Sequence, residues 1–173
     1  MQFSTPVIAW ACIALAGCTQ APLYRQPDNA QARAHLRLNL TEQSLVSGFA
    51  KVYKIDGPVV CGEAIPNPQT VFLANRGIAL ATDINRDGVW IPAEERFTFT
   101  AISVLDGWPA CGLSASFKPR KLGSYELRIN HQNHVSETNA ETCTVEVVDV
   151  TEVGARDDAD FRPEVCLPKD ASK

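Results

Sequence analysis

Ser114-Ala115-Ser116-Phe117-Lys118-Pro119-Arg120-Lys121-Leu122-Gly123-Ser124-Tyr125-Glu126-Leu127-Arg128-Ile129 reads as a strand, a turn and a second strand. Cys111, Leu113, Ala115 and Phe117 share one parity, and Ser114, Ser116 and Lys118 take the other. Tyr125, Leu127 and Ile129 then alternate with Ser124, Glu126 and Arg128. A period of two puts the apolar set on a buried face and the polar set in solvent. Between the runs, Lys118–Gly123 holds a proline and a glycine, the strongest local breakers of a strand. Further on, Cys143, Val145 and Val147 alternate with Thr144 and Glu146 until Val147-Val148 interrupts the pattern, the mark of a bulge.

The same period recurs upstream. His35–Leu40 alternates cleanly, and Phe49–Ile55 does so up to the Asp56-Gly57 turn signal. Thr70–Leu73 and Ile78–Thr82 are shorter candidates, and Phe97, Phe99 and Ala101 share a face opposite Thr98 and Thr100. No amphipathic helix follows residue 18. About seven or eight short strands separated by turns predict an all-β, antiparallel β-sandwich, with a small closed β-barrel as the alternative. The late stretches Ser114–Ile129 and Thr142–Val150 resemble the final strands of immunoglobulin-like or transthyretin-like exported domains.

The N-terminus carries a different signal. An uncharged apolar run from Val7 through Ala16 is too short to span a bilayer and closes on Leu15-Ala16-Gly17-Cys18. A cysteine directly after Leu-Ala-Gly resembles the lipobox of bacterial lipoproteins, although no Lys or Arg precedes it. The resemblance implies that residues 1–17 are a signal peptide and that Cys18 is acylated and becomes the first residue. Thr19, rather than an Asp, follows the anchor, which in such lipoproteins goes with an outer-membrane, periplasm-facing location. Residues 18–34 are then the lipidated N-terminus and a polar, proline-bearing tether, and 35–173 a single domain with a C-terminal tail.

Composition fits one exported domain. The chain has 173 residues, and removing the signal leaves about 155, enough for one ordinary core. The formal charge of −4, with no run of Lys or Arg, carries no electrostatic footprint for nucleic acid. With Cys12 in the signal and Cys18 acylated, Cys61, Cys111, Cys143 and Cys166 remain. An even number in an exported chain predicts two disulfides, with three possible pairings. If the three late strands run up, down and up, Cys111 and Cys143 begin strands at the same end with core-facing parity. Cys111–Cys143 is therefore the first choice, leaving Cys61–Cys166 to pin the tail.

The sharpest candidate for chemistry is Asp83-Ile84-Asn85-Arg86-Asp87-Gly88-Val89-Trp90-Ile91-Pro92-Ala93-Glu94, which fits the calcium-loop pattern of EF-hands. The resemblance implies Asp83, Asn85, Asp87, the Val89 carbonyl and Glu94 as ligands of a calcium ion. Its flanks read as strands rather than helices, and Ile91 and Pro92 occupy positions where polar, flexible residues are usual. The competing reading is a polar hairpin turning at Asn85–Gly88. His131 and His134 are expected in a solvated loop, Trp90 and Trp108 in loops at the sandwich ends, and the Lys118–Lys121 cations at a turn tip. No nucleophile elbow, zinc-protease motif or phosphate-cradling glycine loop occurs, so no enzyme is predicted.

The expectation is a non-catalytic, membrane-anchored periplasmic lipoprotein serving as a binding or structural module, with an envelope protein as partner. A calcium-dependent binding module working through loop 83–94 is one alternative. Another is an accessory lipoprotein of a secretion system, since Ala50–Ile55 resembles the early strand of the small transthyretin-like lipoproteins of type VI systems.

Overall fold

The computed structural model describes residues 20–29, 31–40, 48–57, 59–60, 63–76, 83–105, 110–133, 141–152, 156–157 and 160–164. Its strands in chain order are β1 (Arg33–Leu40), β2 (Gly48–Lys54), β3 (Gln69–Arg76), β4 (Val89–Pro92), β5 (Phe97–Leu105), β6 (Cys111–Phe117), β7 (Ser124–Asn133), β8 (Glu141–Asp149), β9 (Arg156–Asp157) and β10 (Arg162–Pro163). They form two five-stranded sheets, ordered β4-β1-β7-β8-β9 and β10-β6-β5-β2-β3. Among the described residues neither sheet closes on itself, so the all-β chain is consistent with a sandwich and not the small barrel. The expected strand Ile78–Thr82 lies outside the described residues.

Alternation explains the layers. Ala34 and Leu36 of β1 and Tyr125, Leu127 and Ile129 of β7 are buried, as are Phe97, Phe99 and Ala101 of β5 and Ala115 and Phe117 of β6. Each set shares one parity, so it lies on one face of its strand and meets the opposing sheet. The rings of Phe97, Phe99 and Phe117 lie 6.1–6.4 Å apart, and Tyr125 packs 5.3 Å from Phe117. Offset and edge-on pairs of this kind add to what burial alone contributes.

Three local expectations are corrected. β1 pairs β7 in parallel, from His35↔Ser124 to Leu40↔Ile129, although every other strand pair is antiparallel. A parallel neighbour needs a long crossover, and here most of the chain between them supplies it. The β7–β8 register runs without a shift from Tyr125↔Asp149 to Asn133↔Glu141, so Val147-Val148 is not a bulge. Both valines are buried: Val147 faces the core, and Val148, on the opposite face, stands in register between Glu126 of β7 and Asp157 of β9. The register shift sits instead between Val52 and Tyr53. Finally, β7 continues through His131-Gln132-Asn133, and His131 is buried rather than solvated.

The tip between β6 and β7 is held from inside. The Arg120 N–H donates to the Tyr125 hydroxyl at 2.9 Å, an arrangement that closes corners in many Greek-key sandwiches. A Cβ on Gly123 would stand 2.7 Å from the Tyr125 ring, so only glycine lets the turn fold over it. The same turn docks on β1: Leu122 N–H donates to the Arg33 carbonyl and His35 N–H to the Gly123 carbonyl, both at 2.8 Å. Of the three tip cations, Arg120 pairs with Asp149, whose Oδ1 also accepts the Thr151 N–H at 2.9 Å.

The segment before β1 is docked as well. Tyr24 N–H donates to the Thr70 carbonyl and Thr70 N–H to the Pro22 carbonyl, so Pro22–Tyr24 lies along β3. Tyr24 is buried, with its ring 6.1 Å from Phe97. Within the tether expected over 18–34, Pro22–Tyr24 is therefore engaged by the sandwich.

Tyr125→Phe leaves the Arg120 N–H without its acceptor and is expected to lower stability by about 1–2 kcal/mol in urea denaturation. Burial would raise the Asp149 carboxyl, but hydrogen bonds from Thr151 and Arg120 outweigh it and hold the group below its ordinary value. A depressed carboxyl stabilises the fold above its unfolded value of about 3.9, and that contribution disappears as pH falls through the lower folded value. Below about pH 4 the wild type should therefore lose more stability than Asp149→Asn, as melting curves across pH 2–6 would register.

Candidate functional site

The Asp83–Glu94 stretch links the open edge of one sheet to that of the other. Ile84 makes an isolated antiparallel bridge to Leu73 on β3, and Val89–Pro92 forms β4 on the edge of β1. Between them Asn85 adopts a left-handed φ of 58°, and Gly88 N–H donates to the Asn85 carbonyl at 2.9 Å, closing a turn. Gly88 has φ 101°, and a Cβ there would lie 2.6 Å from the His35 ring and 2.8 Å from the Leu36 carbonyl. Glycine is therefore demanded by packing on β1 as well as by the turn.

The five expected calcium ligands do not converge. The Asp83 Oδ1 accepts the Asn75 N–H at 3.1 Å, and the Asn85 Nδ2 donates to the Val71 carbonyl at 2.6 Å. Both side chains tie the loop to β3. Asp87 is exposed at the turn, whereas Glu94 is exposed beyond β4 with its N–H donated to the Pro119 carbonyl at 2.7 Å. The extended β4 advances at roughly 3.3 Å per residue and carries Glu94 away from the turn instead of wrapping it back. Val89 lies in β4, its backbone paired with Leu36. Among the described residues no group of three or more His, Cys, Asp or Glu side chains is placed to share a metal ion. Asn85-to-Gly88 is thus the turn of a β3–β4 connection.

A cavity of about 200 Å³ adjoins this loop, lined by Leu38, Leu40, Phe72, Asp83, Asn85 and Arg86 among others. It is smaller than the roughly 300–1,000 Å³ typical of organic-ligand sites. A wider recess of about 490 Å³ lies where the docked N-terminal segment meets Lys54, Gln69 and Pro92. Its wall is polar, with Arg25, Gln26 and Gln31, and Lys54 there is paired with Asp56. The Tyr24 hydroxyl has no hydrogen-bond partner among the described residues, and burial pushes its pKa up.

Two further residues matter that periodicity did not single out. His131 is 1% exposed, and its Nδ1 lies 3.2 Å from the Ser103 Oγ of the opposing sheet. In register, His131 stands opposite Cys143, and Ser103 opposite Cys111. The pair thus crosses the sandwich beside two cysteine positions. The only sequence hint was parity, since His131 continues the inward set Tyr125, Leu127 and Ile129. On the solvent side, Trp90 is in β4 rather than a loop, with Arg33 4.3 Å over its ring and His35 5.1 Å away. Burial, and then the charge of Arg37, lower the His35 pKa.

Cys111 is buried at the start of β6, and Cys143 lies in β8. Cys18, Cys61, Cys166, His134 and Trp108 lie outside the described residues. No family model, curated protein or solved structure matches the chain.

Calcium at millimolar concentration should leave the melting temperature unchanged, in the wild type and in an Asp87→Ala, Glu94→Ala double variant. Asp83→Ala should cost about 1–2 kcal/mol with or without calcium, because it removes the acceptor for a strand N–H. Differential scanning calorimetry separates the two effects.

Proposed function

We propose that this chain is a lipid-anchored envelope protein whose disulfide-stapled sandwich is a non-catalytic binding or structural module facing the periplasm. The observation that carries the reading is the position of Cys18. It closes Leu15-Ala16-Gly17-Cys18, and only Thr19, Gln20 and Ala21 separate it from Pro22, where the chain joins the edge of β3. In sequence the candidate anchor thus lies four residues before the first backbone–backbone hydrogen bond to the sandwich among the described residues. Lipid chains at that cysteine supply the membrane affinity, and several together hold far more firmly than one.

The cysteines support an oxidising location. Cys111 is disulfide-bonded. Its partner is Cys143 in this reading, on the strength of one cross-sheet contact and the backbone register. Ser103 and His131 touch across the sandwich. Cys111 pairs with Ser103 on β5, and Cys143 pairs with His131 on β7. Residues directly opposite on paired strands share a face, so both cysteine positions fall on the inward parity of their strands. A bond between them would join β6 to β8, and hence one sheet to the other. Exported proteins keep such bonds, whereas cytosolic thiols stay reduced.

Metabolic labelling with palmitate should mark the wild type and not Cys18→Ser, which should appear in the soluble periplasmic fraction. An unlabelled wild type would end the lipoprotein reading. Peptide mapping under non-reducing conditions should recover Cys111 linked to Cys143. Replacing both by alanine should lower stability by about 2–5 kcal/mol.

A further inference from the structure

The two solvent faces of the sandwich differ in kind. Outward positions on β1, β7 and β8 carry Arg33, His35, Arg37, Glu126, Arg128 and Glu146. Glu126 accepts from Arg128 and Asn39, so this face is a charged, hydrogen-bonded surface of the usual soluble kind. On the other sheet the outer face divides. Ser114 and Ser116 of β6 meet Thr100, Arg96 and Glu164 on a polar side. The patch over β2, β3 and β5 is mostly apolar, with Asn75 at its margin opposite Phe49. There Phe49 pairs with Val104, Lys51 with Ile102 and Leu73, and Tyr53 with Thr100. Phe49 is 40% exposed, while Tyr53, Leu73, Ile102 and Val104 are half-buried. No carboxylate occupies these positions, and the one charge is Lys51, whose Nζ lies 4.9 Å over the Tyr53 ring.

We infer that this face of the β2, β3 and β5 strands rests on the lipid bilayer that holds the anchor. The inference deepens the proposed function and rests on the lipid at Cys18. Chain length selects the occupant. Pro22–Tyr24 is hydrogen-bonded to β3, the edge of this same sheet. From Cys18 to Pro22 a fully extended chain reaches at most about 14 Å. The sandwich therefore cannot swing far from the bilayer, and the sheet nearest the anchor is the one with the apolar patch. Leu23, 63% exposed at that edge, adds to the same side.

The chemistry suits an interface. Aromatic rings such as Phe49 and Tyr53 settle at the boundary between headgroups and acyl chains. Lys51 can lay its methylenes along the apolar surface and keep its ammonium among phosphates. Contact of this kind is the second attachment that steadies a lipid-held protein and fixes its orientation. The charged face, with Trp90 and His35, then points into the periplasm and is the one presented to partners.

The test is hydroxyl-radical footprinting of the mature lipidated protein in vesicles of phosphatidylethanolamine and phosphatidylglycerol, with lipid-free Cys18→Ser mixed with the same vesicles as reference. Anchoring should reduce oxidation of Phe49, Tyr53 and Ile102 several-fold and leave Trp90 and His35 unchanged. Wild type that floats with the vesicles but shows equal oxidation on both faces overturns the proposal and leaves the anchor standing. Protection that appears in Cys18→Ser without vesicles and grows with protein concentration also overturns it, because a second copy is then the occupant. Wild type that fails to float removes the anchor reading, and this proposal with it.

Discussion

The hydrogen bond from the Arg120 N–H to the Tyr125 hydroxyl holds together more of this fold than its single contact suggests. Tyr125 places its ring against Phe117 and its hydroxyl under the turn that precedes it, so the core grips its own connection. That turn offers the Gly123 carbonyl and the Leu122 N–H to the start of β1. The parallel β1–β7 pairing begins at this junction, and with it the central ladder of one sheet. Arg120 and Asp149 close the far side by tying the end of β8 to the same corner. A tyrosine suits the position because it supplies a large apolar body and a polar end that reaches backbone.

Covered edges are the second organising feature. An exposed strand edge invites pairing with other chains. β3 is shielded at two points, by Leu23 against Thr70 and by Ile84 against Leu73. β9 pairs with the end of β8, and β10 with β6. The loop that resembles a calcium site acts as one of these covers, with Asp83 and Asn85 spent on β3 backbone. Edges treated in this way leave the faces of the sheets as the broad surfaces for contact. One is charged, and the other carries an apolar patch over β2, β3 and β5.

Much of the strand pattern was legible because a period of two reports directly on which face is buried. β6 came out at its full length, and β1, β2 and β7 nearly so, since each alternates over several residues in a row. Pattern failed where burial did not follow alternation. Val147-Val148 looks like a slip, but the register is unbroken and the outward valine is buried as well. His131 looks like a loop residue by its polar neighbours, yet its Nδ1 finds Ser103 across the core, and a satisfied imidazole can be buried. Tyr24 sits among prolines and charges and gives no periodic signal, although Phe97 and β3 hold it.

The candidate site divides along the same line. Spacing along Asp83–Glu94 shows which residue types recur, but the path of the backbone settles whether their oxygens meet. Here β4 keeps the loop extended, and Leu36 and His35 press on Gly88. The sequence by itself determined the all-β class and the parity of most core residues, because both are written in local order. Tertiary structure alone decided the parallel β1–β7 pair, the docking of Pro22–Tyr24 and the apolar patch over β2, β3 and β5. All three arise from residues far apart in the chain, whose meeting depends on which strands become neighbours.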